Sequence, residues 1–165
     1  MSRWTILALR GVLVLLLAGL LVVQVLLLPL LGVDIAHEHP ELTTLRWSVV
    51  VLGILGVLTV EVAVVCVWRL LTLVRRDAVF SAAAFRDVDV IIGAALAATL
   101  VAVALSFALA PGETVPPGAV LLVVTGGVGT AGIALLVLVM RALLVKAVAL
   151  DTTATTLRAE LDEVI

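Results

Sequence analysis

The chain has 165 residues, of which 64% are hydrophobic and only 13% charged, with a formal net charge of −2. A soluble domain is nearer half apolar and a quarter charged, and one of this size has too little core to hide the excess, so a water-soluble globular fold is excluded. The small net charge gives no reason to expect direct nucleic-acid binding, and the single cysteine, Cys66, leaves neither a disulfide framework nor a thiolate metal cluster.

The first apolar run extends from Gly11 to Leu31 behind a leader that carries Arg3 and Arg10. A secretory signal would have a shorter apolar stretch and a small-residue cleavage site. This run is longer and leads through Pro29 into Gly32, Val33 and Asp34, so it is read as a retained helix. The second run, Trp47 to Trp68, is bracketed by indole rings of the kind that settle at membrane interfaces. The third runs from Val90 to Leu109 and the fourth from Val120 to Met140. Each is close to the ~20 residues that cross a hydrocarbon layer of ~30 Å. Without strand alternation, such runs satisfy their backbone polar groups as helices and not as a barrel. The predicted fold is therefore all-α, an integral membrane bundle forming a single membrane domain over 1–165. Its transmembrane helices lie at about 11–31, 47–68, 90–109 and 120–140, with an amphipathic cytoplasmic loop segment at 69–89 and a helical C-terminal tail at 141–165.

Orientation follows from the basic residues. Arg3 and Arg10 precede the first run, Arg69, Arg75, Arg76 and Arg86 lie between the second and third, and Arg141, Lys146 and Arg158 follow the fourth. The other two connections hold only Arg46. The positive-inside rule places both termini and the middle loop of this multi-pass chain in the cytoplasm. The outer connections are short and mildly acidic, too short for a folded receptor domain.

Lipid tails give apolar helices no reason to prefer one another, so close approach must come from small and polar residues. Ala94, Ala98 and Ala102 in the third run, and Gly126 with Thr130 in the fourth, predict a close antiparallel pair. Beyond Met140 the apolar residues Leu143, Ala147, Leu150, Ala154, Leu157, Leu161 and Val164 continue a three-and-four spacing that begins at Leu136. That period is a coiled-coil seam, and it predicts that the fourth helix extends to the end of the chain, although Thr152, Thr153, Thr155 and Thr156 are poor helix formers. A lipid-surface helix would carry a basic polar face, whereas this one shows Asp151, Glu160, Asp162 and Glu163 against Arg158. Protein is the expected cover. The occupants open to it are the middle loop with Arg75, Arg76, Phe80 and Arg86, a second copy of the tail in a homo-oligomer, or a separate cytoplasmic protein. The docking candidates on the tail are Leu150, Leu157, Leu161, Glu160, Asp162 and Glu163.

Glu61 is the one ionisable residue well inside a predicted span, and a carboxylate there must be protonated, paired or wetted. Gln24 is the nearest polar candidate, but counting residues offsets the two by roughly 10 Å along the bundle. Direct pairing is therefore not expected, and Ser or Thr side chains and Arg10 or Arg141 on neighbouring helices are the anticipated partners. His37, Glu38 and His39, with Asp34 and Glu41 nearby, would make a metal site only if a loop gathered them, because residues two apart do not share a helix face, and a solvated polar loop cap is the expectation. No nucleophile elbow, phosphate loop or intramembrane cluster of acids and histidines is present, so neither an enzyme nor a cofactor is expected.

Two stretches, RLLTLVRRDAVFSAAAFRDVDVIIG and MRALLVKAVALDTTATTLRAELDEVI, are similar to those of a bacterial family, the domain of unknown function 2975. The ending LRAELDEVI is the most specific part of the resemblance, while Arg76 and Asp77 stand where the family commonly has a glycine. The resemblance implies a four-helix membrane protein with no assigned activity. It also implies a cytoplasmic partner, because such proteins are often encoded beside a small helix-turn-helix regulator. The functional expectation is a regulatory or interaction protein of the lipid bilayer that engages that partner through its loop and tail. The alternative is a small transporter or channel subunit using Glu61 within an oligomeric bundle.

Overall fold

A computed structural model describes residues 3–38, 43–75, 82–109 and 117–164, and every one of them is helical. The first span is composite: α1 (Arg3–Val22), a π-helical turn (Val23–Leu27) and α2 (Leu28–Glu38). Pro29 accounts for the turn. It has no N–H to offer, and its ring clashes with the carbonyl four residues back, so the helix widens just ahead of it. The Leu28 N–H accordingly donates to the carbonyl of Val23, five residues away. The remaining helices are α3 (Thr43–Arg75), α4 (Ala82–Leu109) and α5 (Pro117–Val164).

Among the described residues four stretches are long and apolar enough to cross a membrane, at Leu7–Ile35, Arg46–Leu73, Ala84–Leu109 and Pro117–Arg158. The helices overrun the apolar runs, and this alters the expected loop 69–89. Arg69–Arg75 is the end of α3 and Ala82–Asp89 the start of α4, which leaves only 76–81 between them, outside the described residues. The overrun has a local cause, since Ala82, Ala83 and Ala84 open α4 with the strongest helix former.

The helices form an open row. α1 and α2 pack on α3, α3 on α4, and α4 on α5, so α5 meets no described helix except α4. Few side chains are buried. Leu13, Val64 and Leu71 join Leu17, Leu20 and Trp68 between α1 and α3, Cys66, Ala84 and Ala134 are also buried, and many larger apolar side chains face outward, as a lipid solvent permits.

The predicted close pair is α4 with α5. A Cβ on Gly127 would stand 2.9 Å from that of Ala102, closer than side chains pack, and the Thr99 and Thr130 hydroxyls share a hydrogen bond of 3.0 Å one turn away. The small residue at this contact is Gly127 and not Gly126, which has nothing within 4 Å. On α5 the face that meets α4 passes through 127, 130 and 134, so of the pair the sequence suggested Thr130 lies on it and Gly126 does not.

α5 continues without interruption for 48 residues. Its register against α4 sets 127 beside 102, 130 beside 99 and 141 beside 89. Extended at 1.5 Å per residue, this brings Ala82 level with about residue 147, and the rest of α5 projects about 25 Å beyond the described end of α4. Leu150 is 71% exposed and Leu157 54%. Leu150 and Leu157 do not lie on the described part of the middle segment, one of the three covers considered for the tail seam, because the tail runs past the start of α4. Arg86 is exposed, while Arg76 and Phe80, and the side chains of Arg75, Glu160, Leu161, Asp162 and Glu163, lie outside what is described. Thr152, Thr153 and Thr156 stay helical with their hydroxyls bonded back to the carbonyls of Val148, Ala149 and Thr152. Four threonines cost such a helix about 2 kcal/mol relative to alanine.

Candidate functional site

Polar side chains meet between helices at two levels. Near the middle of the row, Gln24 projects from the π-turn toward Glu61 on α3. With its amide oriented so that nitrogen faces the carboxylate, Gln24 donates to Oε1 at 3.1 Å and to Oε2 at 3.2 Å. The separation expected from residue counting is thus overturned. The helices are registered by Gly32 beside Val50, Leu28 beside Gly53 and Arg10 beside Thr72. That places Gln24 level with about residue 58, one turn from Glu61, a gap two long side chains close. Residue counting failed because the apolar runs begin and end at different heights from the helices that contain them.

Arg10 and Arg141, the cations anticipated for Glu61, are engaged elsewhere. Arg10 donates to the Thr72 hydroxyl at 3.2 Å and lies 5.4 Å from the centroid of the Trp68 ring. Thr72 in turn donates to the Trp68 carbonyl at 3.0 Å. This joins α1 to α3. Next along the row, Arg69 of α3 approaches Asp87 of α4, Nη1 to Oδ1 at 3.4 Å, and Asp87 is 1% exposed. Its second oxygen has no hydrogen-bond partner, and Cys66, also buried, lies within electrostatic reach of both groups. Last, Arg141 of α5 donates from Nη2 to Asp89 Oδ2 at 2.9 Å. Its Nε is 2.5 Å from Oδ1 but lacks hydrogen-bond alignment, so that contact is electrostatic.

Every neighbouring pair in the row is thus clipped by an arginine, all three at the end richest in basic residues. The sequence reading used these arginines for orientation, offered Arg10 and Arg141 to Glu61, and missed the two aspartates. The missed signal is the spacing in Arg86-Asp87-Val88-Asp89. Residues two apart on a helix point to opposite flanks, and α4, lying between α3 and α5, needs one carboxylate on each.

The described residues hold no group of three or more His, Cys, Asp or Glu that could bind a metal, and His37 is exposed at the end of α2. His39 and Glu41 lie outside the described residues. What the arrangement offers chemically is one carboxylate held by an amide inside the row, three arginine clips at one end of which two are ionic, and an uncovered helix beyond them. A family model described as "Protein of unknown function (DUF2975)" matches residues 30–165. No curated protein and no solved structure matches the chain.

Proposed function

The chain belongs to the DUF2975 family, and we propose that it is a non-enzymatic regulatory or interaction protein of the bacterial cytoplasmic membrane, with both ends in the cytoplasm. In this reading the projecting end of α5 engages a cytoplasmic protein partner, for which a small helix-turn-helix regulator is the leading candidate. One observation carries it: α5 stays helical far past its neighbour, with Leu150 and Leu157 exposed. An isolated stretch of that length and threonine content is marginal as a helix in water. Acidic residues at 151, 160, 162 and 163 disfavour anionic lipid as its cover. Crosslinked membranes probed with the helix-turn-helix candidate test the reading, comparing the full chain with one ending at Lys146 and with an E160K/D162K/E163K variant. Capture by the full chain alone is the expected result; equal capture by all three would sink the proposal.

The Gln24–Glu61 pair favours a second reading, a transporter or channel subunit, because it leaves a carboxylate inside the row with an amide partner in place of a cation. Four helices in an open row enclose no pore, so this reading requires self-association. Liposomes holding the wild type and Glu61→Gln decide it: proton or cation flux abolished by the substitution supports transport, and absence of flux in both removes it.

A further inference from the structure

We propose that α5 is also a self-association helix, along which two copies of the chain pack in parallel, first within the bilayer and then as a coiled coil beyond it. The inference does not depend on any partner protein; with Leu150 and Leu157 in the seam between copies, a partner would meet the acidic residues outside it.

α5 stands at the edge of the row and carries two tracks of residues at alternating spacings of three and four. One, through Gly127, Thr130, Ala134 and Arg141, faces α4. The other lies one residue earlier, about 100° around the helix, and runs from Leu122 through Ile133 and Met140 to Leu150 and Leu157. These five are 54–75% exposed. Gly126 and Gly129, on the same track, have nothing within 4 Å, so another backbone has room to approach.

Lipid can cover the first half of this track but not the second. α5 passes the end of α4 with the track unbroken and its flanks turned polar. Inside the bilayer other faces of α5 are as apolar and exposed, Leu121, Val128 and Leu135 among them, so it is the persistence of the seven-residue repeat past α4, where the flanks are polar, that points to a partner helix.

The sequence selects a second copy as that partner. Copies in one membrane share an orientation, so their α5 helices run parallel. The heptad then places Met140, Ala147, Ala154 and Leu161 at the a positions, and Leu143, Leu150, Leu157 and Val164 at the d positions. Leucine at d suits a two-stranded parallel coil, and alanine at a brings the strands close. Lys146 falls at g and Asp151 at the following e, the two positions that meet across a parallel dimer, so opposite charges face each other twice by symmetry. Asp162 and Glu163 fall at b and c, outside the seam, where the acidic face stays free for another protein.

The test uses full-length chains in native-like membranes, with Cys66 replaced by serine and one cysteine introduced at Leu150, Leu157 or Thr152. Oxidation is expected to give a disulfide dimer from positions 150 and 157 and at least fivefold less from 152, which falls at the outward f position. Lys146→Glu and Asp151→Lys should each reduce the Leu150 dimer severalfold, and the K146E/D151K double variant should restore it. Within one helix these two residues are five apart and do not face each other, so rescue reports a contact between chains. Equal dimer from all three positions, no dimer at any, or a double variant no better than either single overturns the proposal. An adduct with a different protein at 150 and 157, in place of the dimer, also overturns it while leaving partner docking standing.

Discussion

α3 and α5 are both long, apolar and arginine-flanked, yet they occupy opposite situations. α3 is packed on both sides, and its polar groups are spent on neighbours: Glu61 accepts from Gln24, Thr72 from Arg10, and Arg69 pairs with Asp87. α5 is packed on one side, and beyond Arg141 its apolar seam stays exposed. Hydropathy cannot distinguish them, since a lipid-facing leucine and a partner-facing leucine look alike inside a bilayer. The distinction becomes physical only past the membrane, where water will not tolerate the same stripe.

The largest expected effect separates the two clips on α4. Arg69→Ala strands a carboxylate that is 1% exposed, and should lower stability in detergent by about 2–3 kcal/mol, below the full range for a buried pair because Arg69 itself is half-exposed. Arg141→Ala leaves Asp89 49% exposed and able to hydrate, and should cost under about 1 kcal/mol. Equal losses in thermal unfolding would show that Asp87 is not the buried member of the row.

Packing on the two tracks of α5 can be opposed in the same way. Gly127→Leu drives a side chain into Ala102 and should cost about 1–3 kcal/mol. Gly126→Leu meets open space and should stay within about 0.5 kcal/mol of wild type in the isolated chain. If Gly126→Leu were the more damaging, the α4–α5 register would be wrong by one residue.

A smaller change is expected at the middle of the row. Gln24→Leu removes both donors from Glu61 and should cost about 1 kcal/mol, near the upper part of the range for polar contacts between membrane helices. An unchanged unfolding midpoint would mean that water already satisfies the carboxylate. The smallest effect belongs to the tail. Thr156→Ala removes a back-bonded hydroxyl and should increase protection of nearby amides from exchange by about twofold, corresponding to roughly 0.5 kcal/mol of helix propensity.

Much of the architecture was legible from residue order alone. Four long apolar runs and the absence of strand alternation imply four helices, and the three-and-four spacing from Leu136 to Val164 implies that the last one continues through its threonines. The clips were not legible. Arg69, Asp87, Asp89 and Arg141 look like ordinary flanking charges until α4 is seen to lie between α3 and α5, with carboxylates directed to both sides. Gln24 and Glu61 were visible as polar residues but not as a pair, because their separation depends on how far each helix overruns its apolar run and on the turn widened ahead of Pro29.

The sequence by itself determined the four apolar spans, their helical form and the continuation of the last helix, though not how far the other helices overrun those spans, because hydrophobic length and period act locally along the chain. Only the tertiary structure decided the open row, the register that brings Gln24 to Glu61, and the choice of Gly127 over Gly126 at the α4–α5 contact. Those depend on the height and rotation of one helix against another, and in a membrane, where burial of apolar surface supplies little preference, a few close approaches and hydrogen bonds set both.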